Sequence, residues 1–308
     1  MGKTKIEFAT HTWNPITGCS HAGTPGCDHC YARKMAKRLA GRYGYPEKPH
    51  EFDVTFHPNK LEEPLHWRKP RVVFPCSMSD WLHPNIPVEW QARMFGVMAD
   101  RRCERHTFLL LTKRPENYGA LSNYLCDGWQ ALKNVWHGVT VETQDQMWRV
   151  EQLLKIPGAK HWVNFEPLLG EIDASPYLVG KRVSREAQFI GDHGVMSYWQ
   201  PPLDGVSVGG ESGPGARPMN PDWARGIRDQ CVAAGVLFTM KQWGLWHPAV
   251  WVTRDGDIAA IAAEHDKSED VFGNGQYMMR FPNVDTGRVL DGKVWNQWPW
   301  DLVEGRDA

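Results

Sequence analysis

The chain has 308 residues, of which 42% are hydrophobic and 23% are charged, and its formal net charge at pH 7 is −1. This composition is typical of a soluble globular protein with one large domain, or one domain and an appendage. The near-neutral charge gives no sign of a nucleic-acid binder at the level of the whole chain. We expect a cytoplasmic protein without a membrane anchor, because no hydrophobic signal segment follows residues 1–5 and no apolar run reaches the length of a membrane span.

Three of the seven cysteines lie within the first thirty residues, as Cys19, Cys27 and Cys30, in the spacing C-x7-C-x2-C. In a reducing cytoplasm, grouped cysteines point to metal or redox chemistry rather than to disulfides. Three thiolates can fill three corners of a metal site and leave the fourth open for chemistry. With His21 or His29 as a fourth ligand, the same thiolates would close a Cys3His zinc site. The spacing alone leaves both interpretations open.

Past the cysteines, short apolar runs alternate with helical patterns. The first half of the chain predicts a helix at 31–40, a strand at 71–75 with a helix at about 87–100, and a strand at 108–111 with a helix from Pro115. A strand at 135–141 with a helix that Pro157 ends, and a strand at 161–165, come next. After an irregular insertion at 170–202, the sequence predicts a strand at 205–208 with a helix from Pro221, and a strand at 236–240. Thr143 and Gln146 match a capping box at the start of the fourth helix.

This alternation of strands and helices indicates βαβ units and a parallel sheet. We therefore predict an α/β fold over residues 1–243, a full or partial (β/α) barrel of about six to seven parallel strands. No G-x-G-x-x-G motif follows a first strand to support a dinucleotide-binding sheet. From residue 244 the alternation of strand and helix patterns ends, and Asp255-Gly256 and Asp291-Gly292 are hairpin-turn signals. Residues 244–308 are therefore predicted to form a small β-containing C-terminal appendage.

Polar or ionisable residues follow the predicted strands. The sets are Cys76 to Asp80, Thr112-Lys113-Arg114, Thr140-Val141-Glu142, Glu166-Pro167, Gly209 to Gly213, and Lys241-Gln242-Trp243. In a β/α barrel the carboxyl ends of the strands carry the active site, and the cysteine loop after the first strand would reach the same end. Loops at this position are polar in any case, so the pattern as a whole is stronger than any one member.

The segment Asn14-Pro15-x-x-Gly18-Cys19-x-His21 followed by Cys27-x-His29-Cys30-Tyr31-Ala32-Arg33 resembles the cluster loop of radical S-adenosylmethionine (SAM) enzymes. It is most similar to the branch of spore photoproduct lyase and DNA-repair-photolyase-like proteins. From about residue 10 to 245 the chain also resembles an uncharacterised phage- and prophage-encoded family of radical-SAM-like proteins. The matching strings are Trp13-Asn14-Pro15, Ser77-Met78-Ser79-Asp80, Leu111-Thr112-Lys113-Arg114-Pro115, Glu166-Pro167-Leu168, Gly209-Gly210-Glu211-Ser212-Gly213 and Lys241-Gln242-Trp243-Gly244.

The resemblance implies that Cys19, Cys27 and Cys30 hold a [4Fe–4S] cluster whose fourth iron is chelated by SAM. It also implies that a reductant such as flavodoxin or ferredoxin supplies an electron, so that SAM is cleaved to methionine and a 5′-deoxyadenosyl radical. Candidate cofactor-binding residues are Tyr31, Ser77, Ser79, Asp80, Lys113, Arg114, Glu142, Gly209, Gly210 and Glu211. Candidate catalytic residues are Cys76, as a hydrogen-atom donor, Glu166 and Lys241, and a base could be held by Lys241, Gln242 and Trp243.

Three features depart from the radical SAM pattern. The first gap between cysteines has seven residues where three are usual, and His29 stands where the family has an aromatic residue before the third cysteine. The Gly-Gly-Glu string follows the strand at 205–208, which is the sixth when a strand before the cysteine loop is counted as the first, instead of the second strand. The resulting expectation is a radical SAM enzyme that modifies or repairs a nucleobase or a nucleic acid. The alternatives are a radical SAM enzyme acting on a peptide or small metabolite, and a non-catalytic zinc-binding interaction module.

Overall fold

A computed structural model describes residues 2–125, 132–156, 159–189, 192–248, 271–273, 278–280, 287–298 and 300. Its main sheet has eight strands in the order β1-β2-β5-β6-β7-β8-β11-β12. These strands are β1 Gly2–Lys3, β2 His11–Trp13, β5 Val72–Pro75, β6 Thr107–Thr112, β7 Val135–Thr140, β8 Lys160–Phe165, β11 Gly205–Gly209 and β12 Leu237–Gln242. Strand β1 is antiparallel to β2, and the other seven strands run parallel in a curled half-barrel. The predicted α/β partial barrel is confirmed.

The described part of the chain also contains six α-helices and four antiparallel strand pairs. The helices are α1 Tyr31–Leu39, α2 Pro58–Leu61, α3 Val88–Ala99, α4 Tyr118–Tyr124, α5 Trp148–Leu153 and α6 Pro221–Ala234. The antiparallel pairs are β3 Ile16–Thr17 with β4 Thr55–Phe56, β9 Lys181–Phe189 with β10 Asp192–Gln200, β13 Trp246–Pro248 with β14 Met278–Arg280, and β15 Val289–Leu290 with β16 Lys293–Val294. In the described part of the chain, no helix has both the length and the apolar character needed to cross a membrane.

Strand β6 shows how the sequence produces two layers of core. Its central residues are all apolar, as expected for a strand that is covered on both faces. Since successive side chains point to opposite faces, Leu110 belongs to the large buried cluster that also contains helix residues such as Met94 and Ile227. Its neighbour Leu109 packs on the other face with Trp136. The helical layer therefore anchors one side of the sheet and an aromatic layer fills the other.

Indole rings fill the concave face of the half-barrel. Trp300 contacts Trp136 and Trp162 edge to face, with ring centroids 5.7 and 5.2 Å apart. Gly138 of β7 lies opposite Trp162 of β8, and a Cβ atom on Gly138 would stand 2.3 Å from the indole nitrogen of Trp162. Trp298 stacks on Trp300 at 5.2 Å. Residues near the C-terminus therefore complete the core of the barrel rather than lying apart from it.

Backbone hydrogen bonds also join the C-terminal residues to the sheet. The Met240 amide donates to the Trp295 carbonyl, and the Trp243 indole donates to the Val289 carbonyl, each at 3.0 Å. The predicted turn at Asp291-Gly292 is present between β15 and β16, with φ angles of 52° and 76°. The other predicted turn, Asp255-Gly256, lies outside the described residues.

Two local predictions are wrong. The predicted irregular insertion at 170–202 contains the paired strands β9 and β10, because their backbones satisfy each other along nine residue pairs without needing an apolar face. The predicted capping box also fails. Thr143 makes no side-chain cap bond and its hydroxyl donates to Asp145 at 2.6 Å, while the Gln146 side-chain carbonyl accepts from the Glu142 amide at 3.0 Å.

Candidate active site at the carboxyl ends of the strands

The cysteine loop, residues 13–33, begins beside the residues that follow β5. The side-chain carbonyl of Asn14 accepts hydrogen bonds from the Ser77 hydroxyl and the Met78 amide, both at 3.1 Å. The Ser79 hydroxyl donates to the Gly18 carbonyl at 2.6 Å. Ser77 and Ser79, which the resemblance suggests for SAM binding, therefore secure the start of the loop in this structure.

The first cysteine follows a tight backbone approach at Gly18. Its φ angle is +87°, and a Cβ atom would stand 2.0 Å from the Asp53 carbonyl oxygen, so only glycine fits here. The next amide, of Cys19, donates to the Phe52 carbonyl at 3.0 Å. The loop is thus fixed on both sides of Cys19.

Glu142 holds the middle of the cysteine loop. This carboxylate follows β7 and has no exposed surface. One oxygen accepts a hydrogen bond from the Thr24 hydroxyl at 2.9 Å, and the other accepts from the Gly26 amide at 2.7 Å. Lys113, which follows β6, forms an ion pair with the same carboxylate. Three segments of the chain therefore meet at one buried acid.

A second buried ion pair lies between Asp80 and Arg114. The Arg114 guanidinium lies 3.0 Å from Asp80 and also donates to the Ser20 carbonyl at 3.0 Å. The Thr112 hydroxyl and the Lys113 amide donate to the two oxygens of Asp80 at 2.6 and 3.0 Å. The residues that follow β5 and β6 thus bind each other and reach the loop.

Cations lie beside two of the three cysteine thiols. Arg114 Nη1 is 3.6 Å from Cys19 Sγ, and Lys113 Nζ is 3.9 Å from Cys27 Sγ. Cys30 precedes α1, and all three thiols are partly buried and free of disulfides. Burial, and then the charge of Asp80, raise the pKa of Cys19 to about 11 despite the neighbouring Arg114 guanidinium.

Both histidines of the loop are directed at carboxylates. His21 Nε2 lies 2.8 Å from Asp28, and its Nδ1 accepts a hydrogen bond from the Gly23 amide at 2.9 Å. His29 Nδ1 lies 3.5 Å from Glu211. Within the described ranges, no three His, Cys, Asp or Glu side chains form a ready site for a single ion. Of the three free thiols, those of Cys19 and Cys27 lie beside a cation, whereas both loop histidines lie beside carboxylates.

An inner network of five polar residues lies at the ends of β8, β11 and β12: Asn164, Glu166, Ser207, Lys241 and Gln242. Lys241 Nζ lies 2.6 Å from both oxygens of Glu166, and the Gln242 amide donates to Glu166 at 2.8 Å. Asn164 donates to Glu166 at 3.0 Å and accepts from Ser207 at 2.7 Å. Burial alone would raise the pKa of Glu166, but Lys241 and the hydrogen bonds outweigh it and lower the pKa.

The inner network adjoins the cysteine loop. Pro167, the neighbour of Glu166, lies 2.9 Å from the position of a Cβ on Gly26. The loop site and the inner network therefore lie side by side at one end of the barrel. This is the end where enzymes of this architecture place their chemistry.

The Gly-Gly-Glu string after β11 has roles that packing explains. A Cβ on Gly209 would stand 3.0 Å from the Glu166 carboxyl group, and one on Gly210 would stand 1.9 Å from the Trp243 carbonyl oxygen. Glu211 binds Arg217 through two hydrogen bonds of 2.8 and 2.7 Å, and Arg217 also donates to a loop carbonyl, that of Pro25, at 2.9 Å. Burial raises the pKa of Glu211, but Arg217 outweighs it and lowers the pKa.

Three other predicted residues lie apart from this polar centre or at its edge. Cys76 is buried in the core with its thiol 3.8 Å from the Met94 sulfur, and burial raises its pKa. Tyr31 is 54% exposed as a residue, while its buried hydroxyl donates to the Ser77 carbonyl. Trp243 is buried, so its ring does not present a free face for a base to stack on.

The sequence does not single out Thr24, Asn164 or Arg217. Thr24 lies in the lengthened gap between Cys19 and Cys27, and its bond to Glu142 gives that gap a structural role. The unusual gap length is the signal that could have identified Thr24. Arg217 lies in a run rich in glycine and proline without periodic pattern, so no sequence signal connects it to Glu211.

Comparison with known families gives one match. A family model described as "Protein of unknown function (DUF5131)" matches residues 3–299. Neither the curated proteins nor the solved structures contain a match to the chain.

Proposed function

The chain belongs to the DUF5131 family of unknown function. We propose that it is a radical SAM enzyme that acts on a nucleobase or a nucleic acid. One observation carries the proposal. A loop with three free thiols lies at the carboxyl ends of a parallel half-barrel, where Glu142 and Arg114 hold it against the strands. Three thiols at this end of the barrel, two of them beside cations, fit a role in chemistry better than a role in folding alone.

Cys19, Cys27 and Cys30 would hold a [4Fe–4S] cluster with one open iron. When bound there, the cluster supplies the electron that cleaves SAM and so releases a 5′-deoxyadenosyl radical. Lys113 and Arg114 balance the negative charge of the thiolates, as the distances of 3.9 and 3.6 Å to Cys27 and Cys19 allow.

The paired charges beside the thiols suit the amino-acid part of SAM. Its ammonium group would donate hydrogen bonds to Asp80 or Glu142, and its carboxylate would accept them from Lys113 or Arg114. In the structure each acid is neutralised by a cation across the site. A zwitterion can exchange with such pairs without leaving a buried charge alone, which an ordinary cation or anion cannot do.

The inner network would hold the substrate. Lys241, Gln242 and Asn164 supply donors in a fixed arrangement around Glu166, as recognition of a base edge requires. Every member already has a partner, so a substrate must replace one polar contact with another. This favours a substrate rich in polar groups, such as a nucleobase, over an apolar metabolite.

The zinc-binding module is the weaker alternative. A closed Cys3His site needs His21 or His29, and both face carboxylates instead of thiols. To bind zinc, His21 would first have to give up its contacts with Asp28 and Gly23.

Anaerobic reconstitution with iron and sulfide tests the proposed function. We expect about four irons per chain and dithionite-dependent release of 5′-deoxyadenosine from SAM. Cys27→Ala should abolish the release, whereas Cys231→Ala, a change at a buried cysteine of α6, should retain it. A protein that takes up one zinc and no iron, or a Cys27→Ala variant that still cleaves SAM, would contradict the proposal.

A further inference from the structure

Helix α1 directly follows Cys30 and carries a cationic outer face beside the cysteine loop. Its inner face, Ala32 and Ala36, packs with Tyr45 and Met78. Residues 31–43 contain five lysine or arginine residues and no acid, although the whole chain has a net charge of −1. We call these five exposed side chains the basic surface: Arg33, Lys34, Lys37, Arg38 and Arg42.

Contacts within the protein account for only part of the basic surface. Arg42 donates to the Arg38 carbonyl at the end of α1, and the Arg33 guanidinium lies 5.5 Å from the centre of the Phe52 ring. Arg33 and Lys37, like Lys34 and Arg38, are like charges four residues apart, which destabilises a helix. The helix dipole favours cations in the last turn but disfavours them in the first turn, where Arg33 and Lys34 lie without any acidic residue. In the part of the chain that the structure describes, none of the five forms an ion pair with a carboxylate.

Two exposed tyrosines flank the basic surface. Tyr31 at the start of α1 is 54% exposed, and Tyr43 just beyond its end is 75% exposed. Tyrosine rings next to lysine and arginine form the combination that binds unpaired strands, because bases stack on the rings while phosphates meet the cations.

We propose that the basic surface, with Tyr31 and Tyr43, binds a single-stranded nucleic acid and leads it to the cysteine loop. This inference rests on the proposed function, which supplies the reason for a nucleic-acid strand to bind near the cysteine loop. The binding itself needs no cofactor. Single strands are favoured over duplexes because paired bases would not expose their faces to the two tyrosine rings.

Fluorescence anisotropy with a labelled single-stranded DNA of about 20 nucleotides tests this binding. The triple variant Lys34→Glu, Lys37→Glu, Arg38→Glu should bind at least about tenfold more weakly at low salt, and its affinity should depend less on salt concentration. The matched control is Arg68→Glu, Lys69→Glu, Arg101→Glu, which makes the same charge change at exposed residues near the opposite ends of β5 and β6. This control variant should lose less than about threefold in its affinity for the single strand.

A second variant isolates stacking from charge. Tyr43→Asn removes the ring, and asparagine tolerates the positive φ of 54° at this position. It should weaken single-strand binding at least about fivefold and leave duplex binding unchanged. The proposal is overturned if the wild-type protein does not bind the strand, if both triple variants lose affinity equally, or if anionic phosphatidylserine vesicles depend on the same residues and the strand does not. SAM cleavage in the triple variant, measured separately, shows whether the proposed function stands without this surface.

Discussion

At the residue scale, Glu142 is the acid on which the cysteine loop depends. It has no exposed surface, and its oxygens contact Thr24, Gly26 and Lys113. Taking a carboxylate out of water is costly unless its partners compensate, and here two donors and a cation do so. Removing the acid would leave Lys113 and the two loop donors without that partner.

Glu142→Ala should lower the free energy of unfolding by about 3 kcal/mol, because breaking a buried pair leaves its partner charge uncompensated. Urea denaturation measures this loss. Glu89→Ala, at an exposed glutamate of α3, is the control and should cost less than about 1 kcal/mol. An equal loss in the two variants would show that Glu142 does not secure the loop.

At the element scale, the approach of the backbone after β11 to the backbone after β12 shapes the rim. A Cβ on Gly210 would stand 1.9 Å from the Trp243 carbonyl oxygen, which is backbone and cannot rotate away. The Gly210 amide also donates to the Gln242 carbonyl at 2.9 Å, so the two segments are held together at this point. The geometry of the inner network therefore requires glycine at position 210, where any side chain would collide with the backbone after β12.

Gly210→Ala should lower the free energy of unfolding by at least about 3 kcal/mol, since the strand ends must move apart. Gly226→Ala is the matched change in α6, where nothing lies within 4 Å of the added methyl group. There alanine should stabilise the helix by up to about 1 kcal/mol. Thermal unfolding distinguishes the two, and a Gly210→Ala protein as stable as the wild type would contradict the close approach.

Some of these elements are predictable from sequence for a physical reason. A strand such as Phe108 to Leu111 is a continuous apolar run, which is what a parallel strand covered on both faces requires. The hairpin β9–β10 has no such run, and its strands are defined by pairing with each other, which single-sequence periodicity does not show. The capping box was wrong because Gln146 finds a closer partner in the Glu142 amide than in its own helix start.

The candidate site likewise has a part that is predictable from sequence and a part that is not. The positions of Asp80, Lys113 and Glu142 follow from topology, because the carboxyl ends of parallel strands meet at one edge. Their pairings do not follow, since Glu142 binds Thr24 across 118 residues of chain and only the folded path of the loop brings the two together. The same holds for Arg217 and Pro25, which are 192 residues apart.

At the scale of the whole molecule, the hydrophobic core and the charged residues of the half-barrel occupy different regions. Its concave face is filled by Trp136, Trp162 and Trp300, while charged residues gather where the strands end. A barrel filled in this way is a rigid support, so polar groups at its end can be held in fixed positions. The cysteine loop crosses this end, and α1 continues from it into the basic surface.

The central claim is that the three thiols hold a cluster with one iron open to SAM. Electron paramagnetic resonance of the reconstituted, dithionite-reduced protein tests it most directly, with and without added SAM. Binding of SAM to an open iron changes the surroundings of that iron, so we expect a spectrum that shifts on addition of SAM. A spectrum of the reduced cluster that is the same with and without saturating SAM would contradict it.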